Sequence, residues 1–200
     1  MKMNLPNKLT VLRMIMIPFF MAIIMFPVLG DFWSRIAAAI IFGLTALTDM
    51  LDGKIARKHN LVTNFGKFLD PVADKLMTIG GYIAILTTLT APEERVFFMI
   101  FAWATFIVIL RELAVTSLRM IASSGSSVVI AAAYLGKVKT VSQIVCILVM
   151  ILEPAFFGKV PYVGEYHILS YVSLAFMVFM TIWSGLDYLK AYWPLLDPEK

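Results

Sequence analysis

Six apolar runs, near residues 11–29, 33–57, 68–90, 95–121, 132–152 and 167–189, each approach the length needed to cross a membrane. A hydrocarbon layer about 30 Å thick takes roughly 20 helical residues. Inside it every backbone N–H and C=O must be satisfied within the chain, which leaves only helices or closed barrels. Continuous apolar runs, rather than strict alternation, select helices. The expected fold is therefore all-α, an integral membrane protein of six transmembrane helices forming one domain over residues 1–200. The mixed polar and apolar opening, residues 4–10, is expected to add a short interfacial helix. Composition agrees. Hydrophobic residues make up 60% of the chain and charged residues only 15%, against about 25% charged in ordinary soluble domains.

The runs are broken by turn or charge signals at Gly30-Asp31, Lys58-His59-Asn60, Ala91-Pro92-Glu93-Glu94, residues 123–127 and residues 158–161. The first run lacks a small-residue cleavage site and leads into further runs, so it reads as a span. A single cysteine, Cys146, excludes a disulfide within the chain and reads as a small hydrophobe. With both termini on one side, that side collects 14 of the lysines and arginines and the other only Arg35, Arg95 and Lys159. The positive-inside rule then puts both termini and the aspartate-rich segment around residues 49–74 in the cytoplasm.

Four aspartates stand out in this apolar setting: Asp49, Asp52, Asp70 and Asp74, within 26 residues. A carboxylate at the centre of a membrane helix costs about 2.5–3.5 kcal/mol even on a lenient scale. Asp49 and Asp52 are spaced i, i+3 at one helix end, and Asp70 and Asp74 are spaced i, i+4 at the next helix start. Each pair therefore shares a face. A short connection over residues 58–65 would let the two helices run antiparallel as neighbours, bringing the pairs together. Converging carboxylates repel unless a cation neutralises them. An all-oxygen set without nearby cysteine suits two hard divalent ions, Mg²⁺ or Mn²⁺, rather than zinc. Such a pair would clamp a phosphoryl group while one carboxylate takes a proton. Gly53 and Ala56 are small enough for close approach of a ligand or of another helix. Arg57 suits an anionic phosphate or a cytoplasmic anchor, and Pro71 suits the first turn of a third helix.

The whole segment reads Asp49-x2-Asp52-Gly53-x2-Ala56-Arg57-x8-Gly66-x3-Asp70-x3-Asp74. It resembles the signature of the CDP-alcohol phosphotransferase family, matching all eight fixed positions. That resemblance implies six membrane helices, a divalent-metal site facing the cytoplasm, and commonly a homodimer. It implies that Asp49, Asp52, Asp70 and Asp74 hold the metals, with Asp74 also the general base. Asn7, Asp52, Gly53, Ala56, Arg57 and Gly66 would then border CDP-diacylglycerol.

Three further stretches resemble the bacterial branch of that family whose acceptor is sn-glycerol 3-phosphate. They are the opening from Asn4 to Pro18, the run from Arg111 to Arg119, and Gly136-Lys137-Val138-Lys139-Thr140 with Gln143. The ending from Trp183 to Tyr188 extends the likeness over nearly the whole chain. Independently of it, Arg111, Arg119, Lys137 and Lys139 fall at the cytoplasmic ends of two helices and would form a basic pocket for a dianionic phosphate. The expected activity is transfer of a phosphatidyl group from CDP-diacylglycerol to sn-glycerol 3-phosphate in a bacterial cytoplasmic membrane, without nucleic acid. Inositol phosphate or a phosphatidyl lipid as acceptor is the alternative.

A divalent-cation transporter would also use clustered aspartates, but it needs a polar path onward through spans that are apolar. Of the remaining polar residues, His59 reads as a turn residue and His167 as remote from the site. Glu93, Glu94, Glu153 and Glu165 read as solvated in outer loops. Glu112 and Asp187 stay open.

Overall fold

The computed structural model describes residues 4–58, 63–125, 134–158, 160 and 163–193, without the side chains of 50–58, 67, 122–125, 163 and 165. Among these residues the structure is wholly helical: α1 (Leu5–Met25), α2 (Asp31–Lys58), α3 (Asn64–Leu86), a 3₁₀ turn (Pro92–Glu94), α4 (Arg95–Gly125), α5 (Tyr134–Phe157), the single turn α6 (Val163–Tyr166) and α7 (Ile168–Tyr192). Five segments are long and apolar enough to span a membrane: Leu5–Met25, Asp31–Asp49, Pro92–Ile121, Tyr134–Phe157 and Ile168–Tyr192. The sixth long helix, α3, carries Lys67, Asp70, Asp74 and Lys75 in its first half, which dilutes its apolarity. Large side chains such as Phe19, Trp103, Val172 and Trp183 point outward and are exposed. So much exposed apolar surface is what a lipid-facing exterior requires.

The helix starts follow from local chemistry. Asn4 caps α1 by accepting from the Asn7 N–H at 3.0 Å, and Pro6 occupies the first turn. Gly30 takes a left-handed φ of +81° just before α2, a conformation that costs glycine nothing. Thr63 caps α3 by accepting from the Gly66 N–H at 3.0 Å.

Three local expectations change. The opening is not a separate interfacial helix: it forms the first turns of α1, because its polar residues face inward. Asn7, Thr10 and Arg13 lie three residues apart on one face and are all buried. Pro71 does not sit in the first turn of α3, because the Thr63 cap starts that helix at Asn64 and leaves Pro71 in its interior. Finally, α2 and α3 meet only marginally. α1 packs against both of them, with Gly80 of α3 lying where an added Cβ would come within 3.0 Å of Ile17 Cγ2.

Around this unit α5 packs on α2, α3 and α7, and α4 packs on α3 and α7. The core is built from Phe20, Phe42, Tyr82, Phe101, Ile147 and Met177, with Phe20–Phe42 and Tyr82–Phe101 ring pairs at 5.3 and 5.7 Å. Because successive long helices alternate in direction, one end of the bundle gathers the starts of α1, α3 and α5 and the ends of α2, α4 and α7. That end holds the candidate site.

The opposite end holds a fourth correction to the sequence reading. Glu153 is not solvated. It lies inside α5 at 2% exposure and caps α7, accepting from the N–H groups of Leu169 and Ser170 at 2.9 and 2.7 Å and from the Ser170 hydroxyl. A carboxylate there satisfies orphan donors and complements the helix dipole. Glu94 faces His167 at 3.6 Å, and the His167 ring stacks on Phe97. Glu153→Ala is expected to lower stability by about 2 kcal/mol, the cost of stranding buried donors. Thermal unfolding in detergent checks this; an unchanged Tm contradicts it.

Candidate functional site

A cavity of about 1100 Å³ opens between α2, α3, α4, α5 and α7 at the end just described. Three of the four predicted aspartates, Asp49, Asp70 and Asp74, line it. So do all four predicted basic residues, Arg111, Arg119, Lys137 and Lys139. The sequence placed these residues on four separate helix ends, and alternation of helix direction brings those ends to one cavity. Asp52, Gly53, Ala56 and Arg57 continue the backbone of α2, but their side chains lie outside the described ones.

Each aspartate has its own setting. Arg13, fully buried on α1, donates from Nη1 to Asp49 Oδ1. Thr10 donates to Asp70 Oδ1 at 2.9 Å. Asp74 Oδ1 is buried and has no hydrogen-bond partner among the described residues. A buried carboxylate oxygen without a donor is costly, and it is the kind of atom that a bound cation or a substrate proton satisfies. No three acidic, histidine or cysteine side chains close on one point among the described residues; the Asp52 carboxylate is outside them. The donor chemistry, carboxylate oxygens only, fits a hard divalent ion.

Asn7 and Gly66, expected beside the nucleotide, do not line the cavity. They form the α1–α3 junction: Asn7 Nδ2 donates to Thr63 Oγ1 at 3.1 Å, and a Cβ at Gly66 would come within 3.0 Å of Asn7 Oδ1. Glycine there lets α1 approach closely enough to deliver Thr10 and Arg13 to the aspartates.

The basic wall is organised by residues whose roles the sequence left open. Glu112, buried on α4, pairs with Lys139 Nζ and lies 3.5 Å from Arg111 Nη1. Lys139 is only 4% exposed, so Glu112 supplies the countercharge its burial demands. Arg111 also donates from Nη2 to Ser184 Oγ at 2.6 Å, while its Nε is buried without a partner among the described residues. Arg119 donates to the Tyr188 hydroxyl. The i, i+4 spacing of Ser184 and Tyr188 was readable as one face of α7, but neither is charged, and nothing in the sequence pointed that face at the arginines. Asp187 does not line the cavity.

Beyond the charged end, the cavity wall becomes apolar between α2 and α5, where Gly43, Ala46 and Leu47 face Val141, Val145 and Leu148. One cavity thus joins the three aspartates and Glu112, the four predicted basic residues and Lys75, and a greasy slot.

The comparison with known families decides what this arrangement belongs to. The profile of the CDP-alcohol phosphatidyltransferases matches residues 3–183. The chain belongs to that family. Among curated relatives it is 39% identical to the CDP-diacylglycerol–glycerol-3-phosphate 3-phosphatidyltransferase of Bacillus subtilis, over 96% of this chain and 97% of the relative. It is 38% identical to the protein of that name from Shigella flexneri serotype 5b and 37% to that from Escherichia coli K12, each over 96% of both chains. The name that these relatives of the CDP-alcohol phosphatidyltransferase family carry gives CDP-diacylglycerol as their donor.

Proposed function

We propose that the protein transfers the phosphatidyl group of CDP-diacylglycerol to sn-glycerol 3-phosphate, giving phosphatidylglycerophosphate and CMP. The observation that carries this is the cavity itself, in which Asp49, Asp70 and Asp74 face Arg111, Arg119, Lys137 and Lys139. Carboxylates at one wall suit a metal-bound pyrophosphate. Cations at the other suit an acceptor that bears its own phosphate, as serine, choline and ethanolamine do not. The full-length likeness to relatives named for glycerol 3-phosphate favours that acceptor over inositol phosphate or a phosphatidyl lipid.

Asp49, Asp52, Asp70 and Asp74 are the residues that would hold two divalent cations, Mg²⁺ or Mn²⁺. Bound there, such cations would supply charge neutralisation on the pyrophosphate and the departing CMP. The chain's own residues do the rest. Arg111, Arg119, Lys137 and Lys139 fix the acceptor phosphate and so orient its free primary hydroxyl. Asp74 accepts the proton of that hydroxyl as its oxygen bonds to the β-phosphorus. The bond from that phosphorus to the bridging oxygen breaks, and the electron pair leaves with CMP. The apolar slot keeps the acyl chains in contact with lipid throughout, so only the headgroup moves between nucleotide and acceptor.

The positive-inside bias supports the cytoplasmic face of a bacterial membrane for this end of the bundle, where CDP-diacylglycerol would meet a water-soluble acceptor. Homodimerisation is part of the reading by family likeness alone.

The direct test uses purified protein in detergent with Mg²⁺ or Mn²⁺ and CDP-diacylglycerol. CMP release is expected with glycerol 3-phosphate, and to stop when EDTA removes the metal. CMP release with inositol phosphate but not with glycerol 3-phosphate overturns the acceptor.

A further inference from the structure

Tyr188 is a neutral side chain at the centre of a cationic wall. It is 2% exposed, lines the cavity and stacks on Tyr192 with ring centroids 6.2 Å apart. The Arg119 guanidinium carbon lies 4.8 Å from its ring centroid and that of Arg111 5.5 Å. Its hydroxyl accepts the hydrogen bond from Arg119. On the α5 side, a Cβ at Gly136 would come within 3.4 Å of that hydroxyl. One ring therefore touches two helices that carry the basic residues, α4 and the start of α5.

Two guanidinium groups sharing one ring repel each other. Among the described residues no carboxylate pairs with Arg119, and the acid paired with Arg111 is Glu112, which also serves Lys139. The ring face offsets part of the repulsion through its quadrupole without consuming the positive charge, as a carboxylate would. Ser184, one turn earlier on α7, anchors Arg111 in the same uncharged manner, and Gly185 leaves room for the arginine stem, since a Cβ there would approach Arg111 Cγ at 3.1 Å.

We propose that Tyr188 is a positioning residue for acceptor recognition: it holds Arg111 and Arg119 in place for a phosphomonoester dianion without adding a countercharge of its own. The inference rests on the proposed acceptor site, and deepens it by assigning α7 a part in specificity. A countercharged arrangement would hold the arginines equally still but would leave little net charge for the ligand. An aromatic platform fixes them and leaves that charge available.

Two variants separate ring from hydroxyl. Tyr188→Leu removes both; Tyr188→Phe keeps the platform. Two measurements separate this inference from the acceptor assignment: binding of inorganic phosphate to the detergent-solubilised protein by calorimetry, and steady-state CMP release. Tyr188→Leu is expected to weaken phosphate binding and to raise the KM for glycerol 3-phosphate by about tenfold, with the KM for CDP-diacylglycerol and kcat within about twofold of wild type, since cation–π and charged hydrogen-bond losses are of that order. Tyr188→Phe is expected to recover most of this, leaving about a threefold effect; it also carries the test if the leucine variant fails to fold. Phosphate affinity unchanged in both variants overturns the role of Tyr188, as does a fall in kcat with no selective change in the acceptor KM. A wild-type protein that binds phosphate but releases no CMP with glycerol 3-phosphate overturns the acceptor reading and leaves the phosphate comparison to judge Tyr188.

Discussion

Asp74→Asn is expected to abolish turnover while the protein still folds. The expected loss in kcat is about 10³-fold, within the 10²–10⁴ that a positioned general base supplies. The substitution is nearly isosteric but removes both the negative charge and the basic oxygen. Asp74 Oδ1 is the buried carboxylate oxygen without a donor among the described residues, so the folded protein loses no hydrogen bond through that atom. Stability should therefore hold or rise slightly, because an amide costs less to bury than a carboxylate. CMP release and thermal unfolding, measured on one preparation, read the two effects separately. Retained activity removes Asp74 as the base. Loss of activity together with loss of the folded protein would leave its role structural.

The largest stability effect is expected at Glu112, which nothing in the sequence distinguished from an ordinary helix-end partner. Glu112→Leu strands Lys139, which is almost fully buried. Breaking a buried ion pair from one side costs about 3–5 kcal/mol, because the remaining charge is uncompensated. Adding Lys139→Leu removes that charge, and the double variant is expected to regain most of the lost stability. It should not regain acceptor binding, since Lys139 lines the phosphate wall. Thermal unfolding of both single variants and the double variant gives the coupling. Additive losses would show that Glu112 and Lys139 do not act as a pair.

These two residues mark how much of the site could be read in advance. Asp74 was legible because a carboxylate in an apolar run, at fixed spacing from three others, has no inexpensive structural explanation. Arg111, Arg119, Lys137 and Lys139 were legible as a group because their helix ends fall on one side, although each alone also reads as a topological anchor. Glu112 was ambiguous because its meaning depends on Lys139, 27 positions away on another helix. Glu153 was misread because sequence position put it near a loop, whereas the start of α7 folds back over it and uses its carboxylate as a cap. The polar opening was misread because amphipathicity says that a face is polar, not what that face meets.

The sequence by itself determined the medium, the helical class, the direction of each long helix and the chemical class of the donor set. These follow from local quantities: run length, apolar content, charge bias and fixed spacing along single helices. Only the tertiary structure decided who touches whom across helices. α1 packs against both α2 and α3 and brings Thr10 and Arg13 to the aspartates. α7, whose charged Asp187 and Lys190 do not line the cavity, sets Ser184 and Tyr188 under two arginines. Such pairings depend on helix rotation and packing order, which many sequences of the same hydropathy would satisfy differently, and they are fixed only when the whole bundle closes.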